Sequence, residues 1–259
     1  MKVLQGIDVQ SFVHPMDESL MKGMEKAQMN WLMGWLSDAG TKYMMDMHLM
    51  GRCIRVSEQD MPQLYALLKD VCRVLDYPQI PSMFVYRSKL FEWQIYQDKK
   101  PVIVLTDFVL HDFDEGMLRF HLGCAVTALK AKSCRMRIAS TFAMPMLKEV
   151  PLFRNIVGIP LACWARAATL TEDRGGLLAC QDEHAVWRYM LRLCGIPREM
   201  INEDMVDNYL AQYKPGNALS SVSKKAHTLK QTSPWQNDRL AALYTWFCSG
   251  AYDRIVQRY

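Results

Sequence analysis

The sequence predicts an α+β fold, a helical majority beside one small antiparallel sheet, on three observations. Apolar residues recur at helical spacing over long stretches, clearest in 17–39, 57–77 and 115–131. Between the second and third of these the period changes, and three short runs rich in β-branched and aromatic residues appear: Met83 to Tyr86, Trp93 to Tyr96 and Val102 to Leu105. Half of the 259 residues are apolar, enough to bury a sizeable core as one domain.

Taken in order, Asp17 to Ala39 carries apolar side chains at 20, 21, 24, 31, 32, 35 and 36, with Pro15 before it and Gly40 after. It reads as an amphipathic helix packed on the core. Its methionines suit an adaptable binding face or ordinary core filling, and 19 Met along the whole chain favour the second. Ser57 to Tyr77 is a second helix, opened by Ser57 and Asp60 in the manner of a capping box with Asp for Glu. The three strand runs follow, separated by Arg87 to Lys89 and Gln97 to Lys100. Asp114 is placed to cap the next helix, Glu115 to Ala131, with Glu115 near its positive end. Its buried stripe is Met117, Leu118, Leu122, Ala125, Val126 and Leu129, and Cys124 and Ala128 share an adjoining face. From Lys130 to Pro160 the pattern is poor and fits helix and loop. Pro160 to Cys180 and Asp182 to Cys194 are helices, the latter stopped by Gly195 and Pro197, and Glu199 to Tyr213 is helical. Lys214 to Pro234, rich in Lys, Ser, Gly and Pro, is a linker or mobile loop.

Composition excludes several classes of function. The net charge of +4 is spread along the chain with no basic stripe to follow a phosphate backbone, so no nucleic-acid partner is expected. No uncharged apolar run approaches the roughly 18 to 20 residues that cross a bilayer. The start has no signal-peptide core, and the eight cysteines are scattered without a C-x-x-C pair, so reduced thiols and a cytoplasmic location are expected.

Three runs carry a resemblance. Asp114 to Gly123 is similar to the run that leads into the HExxH motif of zinc metallopeptidases of the CAAX-prenyl-protease and HtpX type. Trp164 to Gln181, WARAATLTEDRGGLLACQ, is similar to that family's "W.RA.ELTADR.GLLAC" helix, with Trp164, Arg166, Asp173 and Arg174 retained. Residues 234–259 resemble its closing "HP….R..EL..W..SGEY..I" segment, with Ser233 where His is usual. The resemblance implies a single zincin-like domain: N-terminal helices over 1–80, sheet and cleft helices over 81–212, a mobile loop over 213–235 and C-terminal helices over 236–259. It also implies that the middle strand is a sheet edge that pairs with extended substrate, with Glu92, Trp93 and Gln94 near the place of the family's Asn-Ala-Phe.

An HExxH helix works because two His at i and i+4 reach one metal while the Glu beside the first polarises the bound water. In the frame the resemblance sets, Cys124 and Ala128 stand at the two His positions, Ala125 at the base and Thr169 at the third ligand, a Glu four residues before the Asp. No catalytic residue and no zinc site is therefore expected. The changes are coherent, because small apolar residues let packing offset the lost metal cross-link. Asp173 and Arg174 are read as a structural pair between the cleft helices. The expected function is that of an inactive peptidase homologue that binds a peptide or protein partner through the former substrate cleft. The alternatives are a hydrolase with a metal or thiol centre rebuilt around Cys124, His121, Cys180 and His184, and a structural subunit with a closed cleft.

Overall fold

In the computed structural model of the chain, the residues described are 1–26, 34–35, 38–39, 41–42, 51–88, 93–96, 100–135, 137–139, 158–202, 204–212 and 233–259. Their elements are, in order, α1 (Pro15–Lys26), β1 (Cys53–Val56), α2 (Pro62–Val74), β2 (Ser82–Tyr86), β3 (Trp93–Tyr96), β4 (Val102–Thr106), α3 (Asp107–Asp112), α4 (Glu115–Lys130), α5 (Ile159–Cys180), α6 (Glu183–Leu193), α7 (Met205–Gln212), α8 (Gln236–Cys248) and α9 (Ala251–Arg258). The described residues are thus mostly helical with one four-stranded sheet, an α+β arrangement. The continuation of the first helix toward Ala39, Glu92, most of the poorly patterned stretch between 130 and 160, and nearly all of the expected loop lie outside the described residues.

The sheet is mixed, not antiparallel as expected. Its order is β1-β2-β4-β3, with β2 and β4 parallel and the outer pairs antiparallel. Burial gives the reason. All five residues of β4 are buried, as a strand covered on both faces must be, so it inserts between β2 and β3 and leaves β3 at the edge. The alternation of side chains then makes two layers. Met83, Val85, Ile95, Ile103 and Leu105 join the main core, and Tyr96, Val102, Val104 and Ile138 form a smaller cluster.

The second helix begins later than predicted. Ser57 and Asp60 do bond reciprocally, the Asp60 amide donating to Ser57 Oγ (3.1 Å) and the hydroxyl to the carboxylate (2.5 Å). The helix itself starts at Pro62, where a residue without an N–H and with φ already fixed suits the first turn and discourages helical geometry at Met61. Glu199 to Tyr213 likewise resolves into a short 3-10 turn, Arg198–Met200, followed by α7.

Asp114 caps α4 as predicted, its Oδ1 accepting from the Met117 amide (2.9 Å). The helix is central: Met117 and every residue from Arg119 to Leu129 are buried, far more than one stripe. Close approach to α5 explains the glycines between them. A Cβ on Gly123 would lie 2.6 Å from the Ala179 Cβ, and one on Gly176 2.5 Å from Cys124 Sγ. At its end α5 is stopped by Gln181 in the left-handed conformation, whose side chain brackets the Lys2 backbone at 2.8 and 2.7 Å.

Candidate functional site

The α4–α5 contact brings together the positions that the resemblance marks. Cys124, Ala125, Ala128 and Thr169 are 2, 0, 0 and 5% exposed. Cys124 Sγ lies 3.8 Å from Asp173 Oδ1. Burial foremost, and the neighbouring Asp173 carboxylate after it, hold the thiol well above its ordinary pKa, so it stays protonated.

Asp173 has a partner that the sequence reading did not assign. Arg239, from α8, grips it with Nε at 2.9 Å and Nη2 at 2.6 Å, a bidentate pair in which the carboxylate is 1% exposed. Burial works against the guanidinium, but Asp173 more than compensates and raises it above its ordinary value. The expected Asp173 to Arg174 pair is therefore corrected. Successive helical residues point about 100° apart, and Arg174 turns the other way, donating Nη1 to the carbonyls of Phe12 (3.2 Å) and Val13 (2.9 Å) and lying over the Trp246 ring. Arg239 stands at the Arg of the closing-segment pattern, a signal that could have found it.

Glu172 is equally buried. It accepts from Ser133 Oγ (2.7 Å) and forms an ion pair with Arg137, whose Nη2 also donates to Thr169 Oγ1 (3.1 Å). Burial pushes the Glu172 carboxyl up, while Arg137 and Ser133 pull it down. Nothing in the sequence around Arg137 pointed to this role. The retained Trp164 donates Nε1 to Asp17 (2.7 Å), which also accepts from Thr171 Oγ1 (2.6 Å), so α1 is tied to two turns of α5. Arg166 is half-buried beside Cys163 (3.0 Å).

The residues of the rebuilt-centre alternative are not brought together. His121 Nδ1 is 2.9 Å from the Tyr189 hydroxyl and the ring packs edge-on to Phe113, while Nε2 has no partner among the described residues. Burial first and Arg239 second lower its pKa to about 3, so the imidazole is neutral. Cys180 bonds the Gly116 carbonyl (3.3 Å) and burial pushes its thiol up to about 12. His184, expected one helical turn from Cys180, lies in α6 beyond the left-handed Gln181 and lines a cavity of ≈ 360 Å³ with Trp187 and Tyr244. A larger groove of ≈ 950 Å³ runs between the start of α2 and the first turns of α4, lined by Met61, Leu64, Leu110, Glu115, Leu118 and Arg119 among others. Neither opening is lined by Cys124, Ala125, Ala128 or Thr169.

A catalytic zinc needs three protein donors and a position for water. Here the three ligand positions offer a protonated thiol, a methyl group and a hydroxyl already bonded to Ala165 O (3.0 Å) and Arg137. Among the described residues no three His, Cys, Asp or Glu side chains are grouped so as to hold a metal ion. The residues present do not fit zinc in this frame.

No family model matches the chain, and no solved structure does. The chain is 24% identical over 274 residues to the plastoglobule-localized metallopeptidase 48 of chloroplasts from Arabidopsis thaliana, an alignment covering 99% of this chain and 78% of that protein. The chain is thus distantly similar to a metallopeptidase along nearly its whole length. No helix among the described residues is long and apolar enough to cross a membrane. The relative's own name places that protein in the chloroplast, which lends the cytoplasmic expectation no support.

Proposed function

We propose that this protein is a catalytically inactive metallopeptidase relative, a single zincin-like domain that binds an extended segment of a peptide or protein partner. The observation that carries the reading is the state of the α4–α5 contact. Where a peptidase of this type requires three ligands and a base, Cys124, Ala125, Ala128 and Thr169 are sealed in the interior, and the carboxylates beside them are engaged by guanidinium groups. Binding then falls to the sheet. β3, like β1, ends the order β1-β2-β4-β3, and no strand among the described residues pairs with its outer edge, which can accept a further strand by main-chain hydrogen bonds. Trp93 and Gln94 lie on it, Gln94 accepting from the Tyr96 hydroxyl (2.6 Å). The cytoplasmic location belongs to this proposal also.

The sealing of all four positions also favours a second reading, a structural subunit with a closed cleft. Two measurements separate the readings. Metal analysis of protein purified without added zinc is expected to find no tightly held equivalent; one equivalent that disappears with Cys180→Ala or His184→Ala would sink the inactive reading. A screen of extended peptides by fluorescence anisotropy is expected to yield binders that protect β3 amides from hydrogen exchange and are lost with Gln94→Pro. Failure of every peptide, with β3 exchange unchanged by any, leaves the structural subunit.

A further inference from the structure

Resting on the inactive-relative reading, we propose that Arg137 is the group that closes the centre. Its guanidinium bonds Thr169 at the third-ligand position and clamps the segment that follows α4 to α5, beside the α4–α5 contact that a metal ion would have bridged.

The geometry is specific to Arg137. Thr169 and Glu172 are three residues apart on α5 and so share one face of that helix. The Thr169 hydroxyl spends its one proton on Ala165 O (3.0 Å) and offers a lone pair, which Arg137 Nη2 meets at 3.1 Å. The same nitrogen pairs with Glu172, and Ser133 Oγ completes that carboxylate from the turn after α4 (2.7 Å) while also reaching Ala128 O (3.5 Å). Arg137 therefore bridges the third-ligand position to the segment just beyond Ala128, the second-His position. Its side chain is 24% exposed, so the guanidinium is largely withdrawn from water. A permanent cation held there repels a divalent ion, and it would pair with any carboxylate introduced at 169 before a metal could.

The consequence is that restoring the lost donors does not restore the site while Arg137 remains. The full chain is prepared as Cys124→His, Ala125→Glu, Ala128→His and Thr169→Glu combined, with and without Arg137→Met. Each is stripped of metal, checked for fold by circular dichroism, and titrated with zinc against a chromophoric chelator. The five-residue variant is expected to bind one zinc about 10- to 100-fold more tightly than the four-residue variant, the range usual for a group that touches a metal's ligands. Equal affinities overturn the proposal, as does absence of zinc from both when both are folded. Should the combined variants not fold, Thr169→Glu alone and in the Arg137→Met background gives the second arm. Arg137 is expected to couple to the new carboxylate by about tenfold or more in the folding constant, and no coupling overturns the proposal. The inactive reading fails on zinc held by the unaltered chain, a separate result from either arm.

Discussion

The middle of α4 and its first turn are one helix in two environments. From Phe120 to Leu129 it is core, pressed against α5 at glycines and flanked by the buried ion pairs Arg239–Asp173 and Arg137–Glu172. In the first turns, Glu115 is 77% exposed, Leu118 is half-buried, and a groove of ≈ 950 Å³ opens toward α2. The contrast teaches that the stretch carrying the resemblance lies almost wholly in the packed interior. Among the described residues, open surface beside this stretch lies at the first turns of α4.

The strongest way to break this contrast is to remove a cation from the sealed region. Arg239→Met leaves Asp173 buried and without its bidentate partner, and is expected to cost about 3 to 5 kcal/mol, read as a shift in urea unfolding. Adding Asp173→Asn in the same chain should recover part of that. A loss below about 1 kcal/mol for the single change would mean that water reaches Asp173 and the centre is not sealed.

Next in size is the helix contact. Gly123→Ala puts a methyl group 2.6 Å from the Ala179 Cβ and 3.0 Å from the Gly176 Cα, and the latter is backbone that cannot turn aside. Overpacking of about 1 to 3 kcal/mol is offset by roughly 1 kcal/mol of helix propensity, so a net loss of up to about 2 kcal/mol is expected in the same unfolding measurement. A stabilised variant would show that α4 and α5 can separate.

Acid sharpens the comparison further. His121 and His14 have folded-state pKa values lowered to about 3 and about 4, chiefly by burial. Their contribution is fully present above the unfolded value of 6.5. As pH falls, the unfolded chain takes up protons that the folded one refuses, and stability drops by about 1.4 kcal/mol per pH unit for each. Asp17 and Glu172, raised by burial, act oppositely, their cost being relieved as pH falls through their folded values. From pH 6.5 to 5 His121 alone should therefore remove about 2 kcal/mol, and His121→Phe should flatten that limb of the stability profile. An unchanged slope would place water at His121.

The helices and the Asp114 cap were legible because periodicity and capping are local. The mixed order of the sheet was not, although the unbroken apolar run Val102 to Leu105 against the alternating Trp93 to Tyr96 held the clue to which strand is central. Within the centre, the missing donors at Cys124, Ala125, Ala128 and Thr169 could be read directly. What stands beside them could not. Arg137, Ser133 and Tyr189 meet Glu172, Thr169 and His121 across 32 to 68 residues, and no spacing rule covers such distances. The Asp173 partner was misassigned for the same reason, since a neighbour in sequence was preferred to one 66 residues away.

The smallest effect belongs to the open end of α4. Glu115 pairs with Arg119 at 3.2 Å across one turn, but the carboxylate is mostly in water and Arg119 keeps Asp70 as a second partner. An exposed pair of this kind contributes from nothing to about 0.5 kcal/mol, and Glu115 also gains a few tenths from the helix N-terminus. Glu115→Gln should therefore shift unfolding by no more than about 0.5 kcal/mol, and less in high salt, where both contributions are screened. A loss comparable to that of Arg239→Met would mean that the first turn is as closed as the middle, and the division of α4 into a sealed and an open part would not stand.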